Sequence, residues 1–240
     1  MRTLRLRYVK VTFVVALLMG SSTLATSAQR DEMSVNILGL TGHLLIQPIE
    51  SSFTDWMQVA DRVAKVEGVR LVVPIVEGQA LASTPPEASG VTIHGVRAAD
   101  LSRMSLIIDH LQQGTLEAFD DSHGVTIGSA LADRLSLRAG DNLTLTAPRG
   151  RPGTVPRTKQ YRIVAVFEIG ASTCGDTFIF MPLTEAQSYF DHTGEVSGIE
   201  VHITEADKIT ALRQRVTEAA ERPVITTDWR QRNATCFDAK

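Results

Sequence analysis

The chain has 240 residues, of which 43% are hydrophobic and 21% charged, so it is predicted to bury a substantial core in one or two globular domains rather than to remain disordered. Its formal net charge of -3, with both signs spread along the sequence, argues against a nucleic-acid-binding protein. Cys174 and Cys236 have neither C-x-x-C nor Cys/His spacing, which excludes a thioredoxin-like or zinc site of recognised type and leaves a single disulfide open.

The first thirty residues carry an export signal. The apolar run of residues 11–19 follows a basic flank, and no acidic residue occurs before Asp31. A basic flank before an apolar segment stays in the cytoplasm, so the rest of the chain is predicted to be exported. The apolar run is short for a membrane helix, which favours a signal peptide cleaved near Ala28, but residues 1–29 could also be an N-terminal transmembrane segment. The flank consists of Arg2, Arg5, Arg7 and Lys10.

A strand-helix-strand unit is predicted next. Residues 43–47 are a short apolar strand, and Thr54 is a candidate N-cap for the helix that follows. Gly68 can take the left-handed closing position, and residues 69–76 are a second strand in which Pro74 suggests an edge or a bulge. The apolar face of the helix consists of Trp56, Val59, Ala60, Val63 and Val66.

Residues 101–196 have the pattern of an inserted β-rich subdomain. A strand at 125–128 leads into a short helix, 129–136, and the turn at Gly140-Asp141 leads into an alternating strand. Further strands are predicted at 161–169 and 177–182. The inward-facing residues are Leu131 and Leu135 of the helix and Leu143, Leu145 and Ala147 of the alternating strand.

A long hairpin loop, residues 148–156, lies within this insertion. Its three prolines restrict the chain, and no acidic residue occurs from Asn142 to Phe167. A stiff basic loop is suited to an acidic partner, because ordering it in advance lowers the entropic cost of binding. The alternative is an ordinary solvated loop. The basic residues of the region are Arg149, Arg151, Arg157, Lys159 and Arg162.

A second strand-helix-strand unit closes the chain. Residues 199–203 alternate as in a strand with one solvent-facing side, and Thr204 with Asp207 suggests a capping box for a helix that buries apolar residues. Pro223 ends this helix, and residues 224–227 form the closing strand. The two separated units predict an α+β fold in which one sheet carries both helices on the same face. The buried residues of the helix are Ile209, Leu212 and Val216.

The sequence shows no catalytic pattern. Ser129 lacks the second glycine of a nucleophile elbow, and there is no Gly-rich loop of the kind that binds nucleotide phosphates. The clusters at Asp109-His110 and at residues 120–123 lack the spacing of metal ligands. We therefore expect no enzyme activity, no metal and no cofactor.

Four stretches, in order, resemble one known family. They are ILGLTGHL (37–44), GSALADRLSLRAGD (128–141), VPRTKQYRIVAVFE (155–168) and VSGIEV (196–201). Together they resemble the lipoprotein-releasing ABC transporter permeases of the LolC/LolE type, whose exported part is a MacB-like periplasmic core domain. The resemblance extends from about residue 30 to the last residue. It implies a split porter-like domain, residues 30–100 and 197–240, with residues 101–196 as the inserted β-rich subdomain that carries the hairpin.

The resemblance also implies partners. Two permease chains with an ABC ATPase subunit extract lipoprotein cargo from the inner membrane and pass it to a soluble periplasmic lipoprotein carrier. The main domain would then lie in the periplasm, anchored to the inner membrane or secreted if the N-terminal segment is cleaved, and a membrane part after residue 240 would contact the ATPase. In one permease type a hairpin of the insertion hooks the carrier. The loop in that place here implies docking roles for Pro148, Arg149, Arg151, Pro152, Val155, Pro156 and Arg157.

Two other functions remain open. A free-standing periplasmic adaptor or binding protein derived from the same domain would be released after cleavage near Ala28. The N-terminus of the mature protein and its fractionation with membranes distinguish it from a permease domain. An exported hydrolase would need a convergent site that sequence spacing does not reveal, and broad hydrolase screening would expose it.

Overall fold

The computed structural model describes residues 40–49, 52–120, 124–148, 155–168, 177–205 and 208–232. Its fold is α+β, as predicted. The strands are β1 (Leu44–Pro48), β2 (Val69–Thr84), β3 (Glu87–Val96), β4 (Leu111–Gly114), β5 (Gly124–Gly128), β6 (Asn142–Ala147), β7 (Arg157–Phe167), β8 (Phe178–Pro182), β9 (Gly198–Ile203) and β10 (Val224–Asp228). The helices are α1 (Trp56–Val63), α2 (Ala98–Leu101), α3 (Ser105–Ile108), α4 (Ser129–Arg134), α5 (Leu183–Tyr189), α6 (Ile209–Ala219) and α7 (Trp229–Arg232).

The two predicted strand-helix-strand units form one antiparallel sheet, in the order β10-β1-β9-β2. Its helices α1 and α6 contact each other and pack on this sheet through buried apolar residues. Val59 and Val63 lie on the buried face of α1, and Leu212 and Val216 on that of α6. Burial of these faces holds the helices in place, because helices this short are marginal on their own.

Strand β2 joins this sheet to a barrel. Its first half, Val69 to Ile75, pairs with β9, and its second half, from Val76 onward, pairs with β3. The pairing then continues through β8, β5, β7 and β6, and β6 returns to β2 at Leu81–Ser83, which closes six strands into a ring. Closure removes free edges from these strands. The predicted insertion begins at Leu101, so β3 and half of β2 contribute to the barrel from outside it.

The prediction that β9 has one solvent-facing side is wrong. Glu200 and His202 are each 1% exposed, like their apolar neighbours on the strand. Glu200 lies opposite Leu45 on β1 and Val73 on β2, and those two residues belong to a core that also includes Leu101. The segment after β3 therefore covers the face of the sheet that α1 and α6 leave open.

Other local predictions had mixed outcomes. Gly68 has the predicted left-handed conformation, with φ +95. The N-cap of α1 is Asp55 rather than Thr54, and its side chain makes no capping hydrogen bond. Asp207, Cys174 and Cys236 lie outside the described residues. Within the part of the chain that the structure describes, no helix has both the length and the apolarity to cross a membrane.

Candidate functional site

The predicted docking loop connects two strands of the barrel. The β6–β7 ladder ends at the pair Ala147 and Arg157, so both ends of the connection are attached to the closed barrel. Val155 is 82% exposed, and Pro148 and Pro156 are also exposed. Arg149, Arg151 and Pro152 lie outside the described residues.

Arg157 anchors the base of this loop. Its Nη1 donates to the Tyr189 carbonyl at 2.8 Å and also to the Ser188 carbonyl, and its Nη2 reaches the Asp191 carboxylate at 2.7 Å. The Tyr189 hydroxyl donates back to the Arg157 carbonyl at 3.2 Å. These bonds satisfy carbonyls at the end of α5, where a cation is favourable. Arg157 thus fixes where the loop begins, a role that its predicted docking function did not include.

A second ion pair supports the same strand. Lys159 Nζ lies 2.8 Å from Glu185 Oε1, and the Tyr161 hydroxyl donates to the same oxygen at 2.8 Å. Burial, with the hydrogen bond to Glu185, raises the pKa of Tyr161, and burial raises the pKa of Tyr189 to about 12. Both phenols therefore stay protonated and act as hydrogen-bond donors. The carboxylates of Asp191 and Glu185 neutralise the charges of Arg157 and Lys159 within the protein.

The α5 helix, which receives these bonds, was not predicted from the sequence. It packs tightly on β2 and β3 because two glycines face it. A Cβ at Gly95 would lie 2.2 Å from the Ala186 Cβ, and one at Gly78 would lie 2.4 Å from the Phe190 ring. The signal that could have revealed α5 is the spacing of its buried residues Leu183, Ala186 and Tyr189, which is helical.

A largely buried charged cluster, also missed, lies where the first sheet meets the barrel. Arg232 of α7 donates to Glu200 Oε1 and to Glu77 Oε2, both at 3.1 Å. His94 Nε2 lies 3.6 Å from Glu77 Oε2. Burial raises the pKa of Glu200 to about 7 against the opposing effect of Arg232, and burial lowers the pKa of His94 to about 4. Sequence alternation placed Glu200 on the solvent side, so the cluster had no signal in the pattern.

The remaining chemical candidates do not converge in the structure. Among the described residues, no group of three His, Cys, Asp or Glu side chains could hold a metal ion. Ser129 is the first residue of α4, and the His110 ring contacts the Leu106 carbonyl at 3.1 Å, within its own segment.

Comparison with known proteins agrees with the family resemblance of the sequence. The sequence profile of the MacB-like periplasmic core domain matches residues 11–219. The lipoprotein-releasing system transmembrane protein LolC of Neisseria meningitidis serogroup B is 24% identical over 213 residues, which cover 87% of this chain and 51% of that protein. The corresponding LolE protein of Haemophilus influenzae is 21% identical over 198 residues, which cover 79% of this chain and 47% of that protein. The chain thus spans about half the length of these curated relatives.

The periplasmic region of MacB from Actinobacillus actinomycetemcomitans has a similar structure. It superposes with a TM-score of 0.51 at 11% identity, over 85% of this chain and 97% of that one. Identity this low supports a shared fold and nothing finer.

Proposed function

Because the chain belongs to the MacB-like periplasmic core domain family, we propose that it is the extracytoplasmic domain of an ABC transporter permease that releases lipoproteins from the inner membrane. The curated relatives are named for a lipoprotein-releasing system. The basic and apolar N-terminal segment is consistent with export of everything that follows it. ATP hydrolysis belongs in this proposal to a separate ABC ATPase subunit, and a second permease chain completes the assembly.

In this proposal the domain hands its cargo to a soluble periplasmic carrier through the 148–157 loop. The supporting observation is that the loop has a fixed base and an exposed apolar residue: Arg157 is bonded to α5, while Val155 is 82% exposed. A base held in place lowers the ordering cost when a partner binds. The guanidinium groups of Arg149 and Arg151 would then supply the attraction for an acidic surface.

Charge reversal tests this assignment. The double variant Arg149→Glu/Arg151→Glu is expected to weaken carrier capture by about tenfold or more, since it replaces steering attraction with repulsion. Capture of the purified carrier is measured by surface plasmon resonance at two salt concentrations. Arg157 is left intact, because its loss would release the loop from α5.

A matched control carries the same change in charge elsewhere. Arg138 and Arg162 are exposed, and neither side chain makes a hydrogen bond or an ion pair with another described residue. The Arg138→Glu/Arg162→Glu variant should therefore keep at least most of the capture. Equal capture by the wild type and the loop variant would contradict the docking role of the loop. An equal loss in both variants would show that capture depends on the net charge of the protein and not on the loop.

A further inference from the structure

The guanidinium of Arg232 on α7 links that helix to the residues before β1, to β9 and to the barrel half of β2. Besides Glu200 on β9 and Glu77 on β2, Arg232 Nη1 donates to the Thr41 carbonyl at 3.1 Å. The backbone of α7 is also bonded to the segment before β1, since the Trp229 N–H donates to the His43 carbonyl at 3.1 Å. Helix α7 is thus tied both to the segment before β1 and to the face of the sheet.

Part of this bonding is buried. The Arg232 side chain is 16% exposed and Glu200 is 1% exposed, so both lie largely out of water. Removing one partner of a buried ion pair is costly because the other charge stays buried without compensation. Helix α7 itself has only four residues, too few to be stable without such contacts.

We infer that Arg232 is an interlock: while its three bonds are made, α7 is held against residues 41–43 and the sheet, and when they break α7 undocks while β1, β9 and β2 stay folded. Local opening of this kind is common where a short element depends on a few contacts. Its use in transport rests on the proposed function, in which the segments that lead into and out of the domain carry motion between it and the membrane. Of the barrel, only Glu77 on β2 takes part in the interlock, and the 148–157 loop is not among the partners of Arg232.

Hydrogen exchange followed residue by residue in the full chain tests the inference. In Arg232→Met, exchange of the Trp229 amide is expected to accelerate by about a hundredfold, while amides of β9 such as Val201 keep most of their protection. Arg230→Met is the control, since Arg230 is a neighbour on the same helix that stacks 5.3 Å from the Trp229 ring and makes none of the three bonds. An equal loss of protection at Trp229 and Val201 would show that Arg232 supports the whole fold and would overturn the interlock.

A second variant guards against simple unfolding. Glu200→Leu/Arg232→Met removes the stranded carboxylate, so any loss of global stability in Arg232→Met should be reversed, because buried ion pairs can be replaced by apolar groups at little cost. The Trp229 amide is expected to remain fast in this variant. Restored protection of Trp229 would contradict the interlock. Carrier capture through Arg149 and Arg151 is measured separately, so either idea can fail while the other stands.

Discussion

Replacing Gly95 by alanine is expected to destabilise the protein by about 3 kcal/mol, at the upper end of the usual cost of overpacking. The added Cβ would lie 2.2 Å from the Ala186 Cβ, and Ala186 is fully buried on α5. Relief requires α5 to move away from β3. Because α5 carries the bonding partners of Arg157 and Lys159, the base of the docking loop would move with it. Urea unfolding measures the loss.

The same strand provides a control. A Cβ at Gly90 would meet nothing within 4 Å, so Gly90→Ala should change the free energy of unfolding by less than about 1 kcal/mol. Adding Ala186→Gly to Gly95→Ala removes the clash and should restore part of the stability, less the helix propensity lost at position 186. If Gly95→Ala were as stable as Gly90→Ala, the close packing of α5 on β3 would be incorrect.

Acidification from pH 7 to pH 5 is expected to destabilise the fold. Burial lowers the pKa of His94 to about 4 and that of His202 to about 3, from an ordinary value of 6.5. Between pH 6.5 and the lowered pKa values, the unfolded chain binds protons that the folded chain does not. The contribution of the neutral histidines to the free energy of unfolding is therefore fully present above pH 6.5 and is lost as the pH falls. Each histidine contributes a loss of about 2 kcal/mol at pH 5. His43, with a pKa lowered to about 4 mainly by burial, acts in the same direction.

Glu200 opposes this trend. Its pKa is raised from 4.5 to about 7, so its contribution favours the folded state below pH 4.5 and is lost as the pH rises to 7. Glu200→Gln should therefore steepen the loss of stability on acidification, and His202→Leu should flatten it. His202→Leu should also stabilise the protein at pH 7, because both ring nitrogens of His202 are buried and have no hydrogen-bond partner among the residues that the structure describes. Urea unfolding at pH 5, 6 and 7 checks these signs. A stability independent of pH would refute the neutral, buried state of the histidines.

Much of the fold could be predicted because apolar periodicity reports burial directly. The alternation of Leu143, Leu145 and Ala147 predicted β6, and the apolar stripes predicted the inner faces of α1 and α6. The same reasoning failed at β9, since alternation of polar and apolar residues cannot distinguish water from a buried charge partner. Arg232, the partner of Glu200, lies 32 residues further along the chain. Barrel closure was equally hidden, because pairing of β6 with β2 is set by the tertiary fold.

The candidate site, like the fold, was only partly predictable from the sequence. Prolines, basic residues and the family resemblance predicted a docking loop, which stays a prediction. They did not separate Arg157, which binds the end of α5, from the arginines proposed to contact a partner. The contacts of Arg157 lie 31 to 34 residues away, at and just after the end of a helix that was not predicted. A long-range anchor of this type has no local sequence pattern.

Photo-crosslinking from position 155 in living cells is the most direct measurement of carrier docking. Val155 is 82% exposed beside the fixed base of the loop, so a p-benzoylphenylalanine placed there should form an adduct with a soluble periplasmic lipoprotein carrier. Ile225, which is 53% exposed on β10 of the other sheet, is the matched control and should not form that adduct. Absence of the carrier adduct at position 155, or the same adduct at both positions, would contradict docking through this loop.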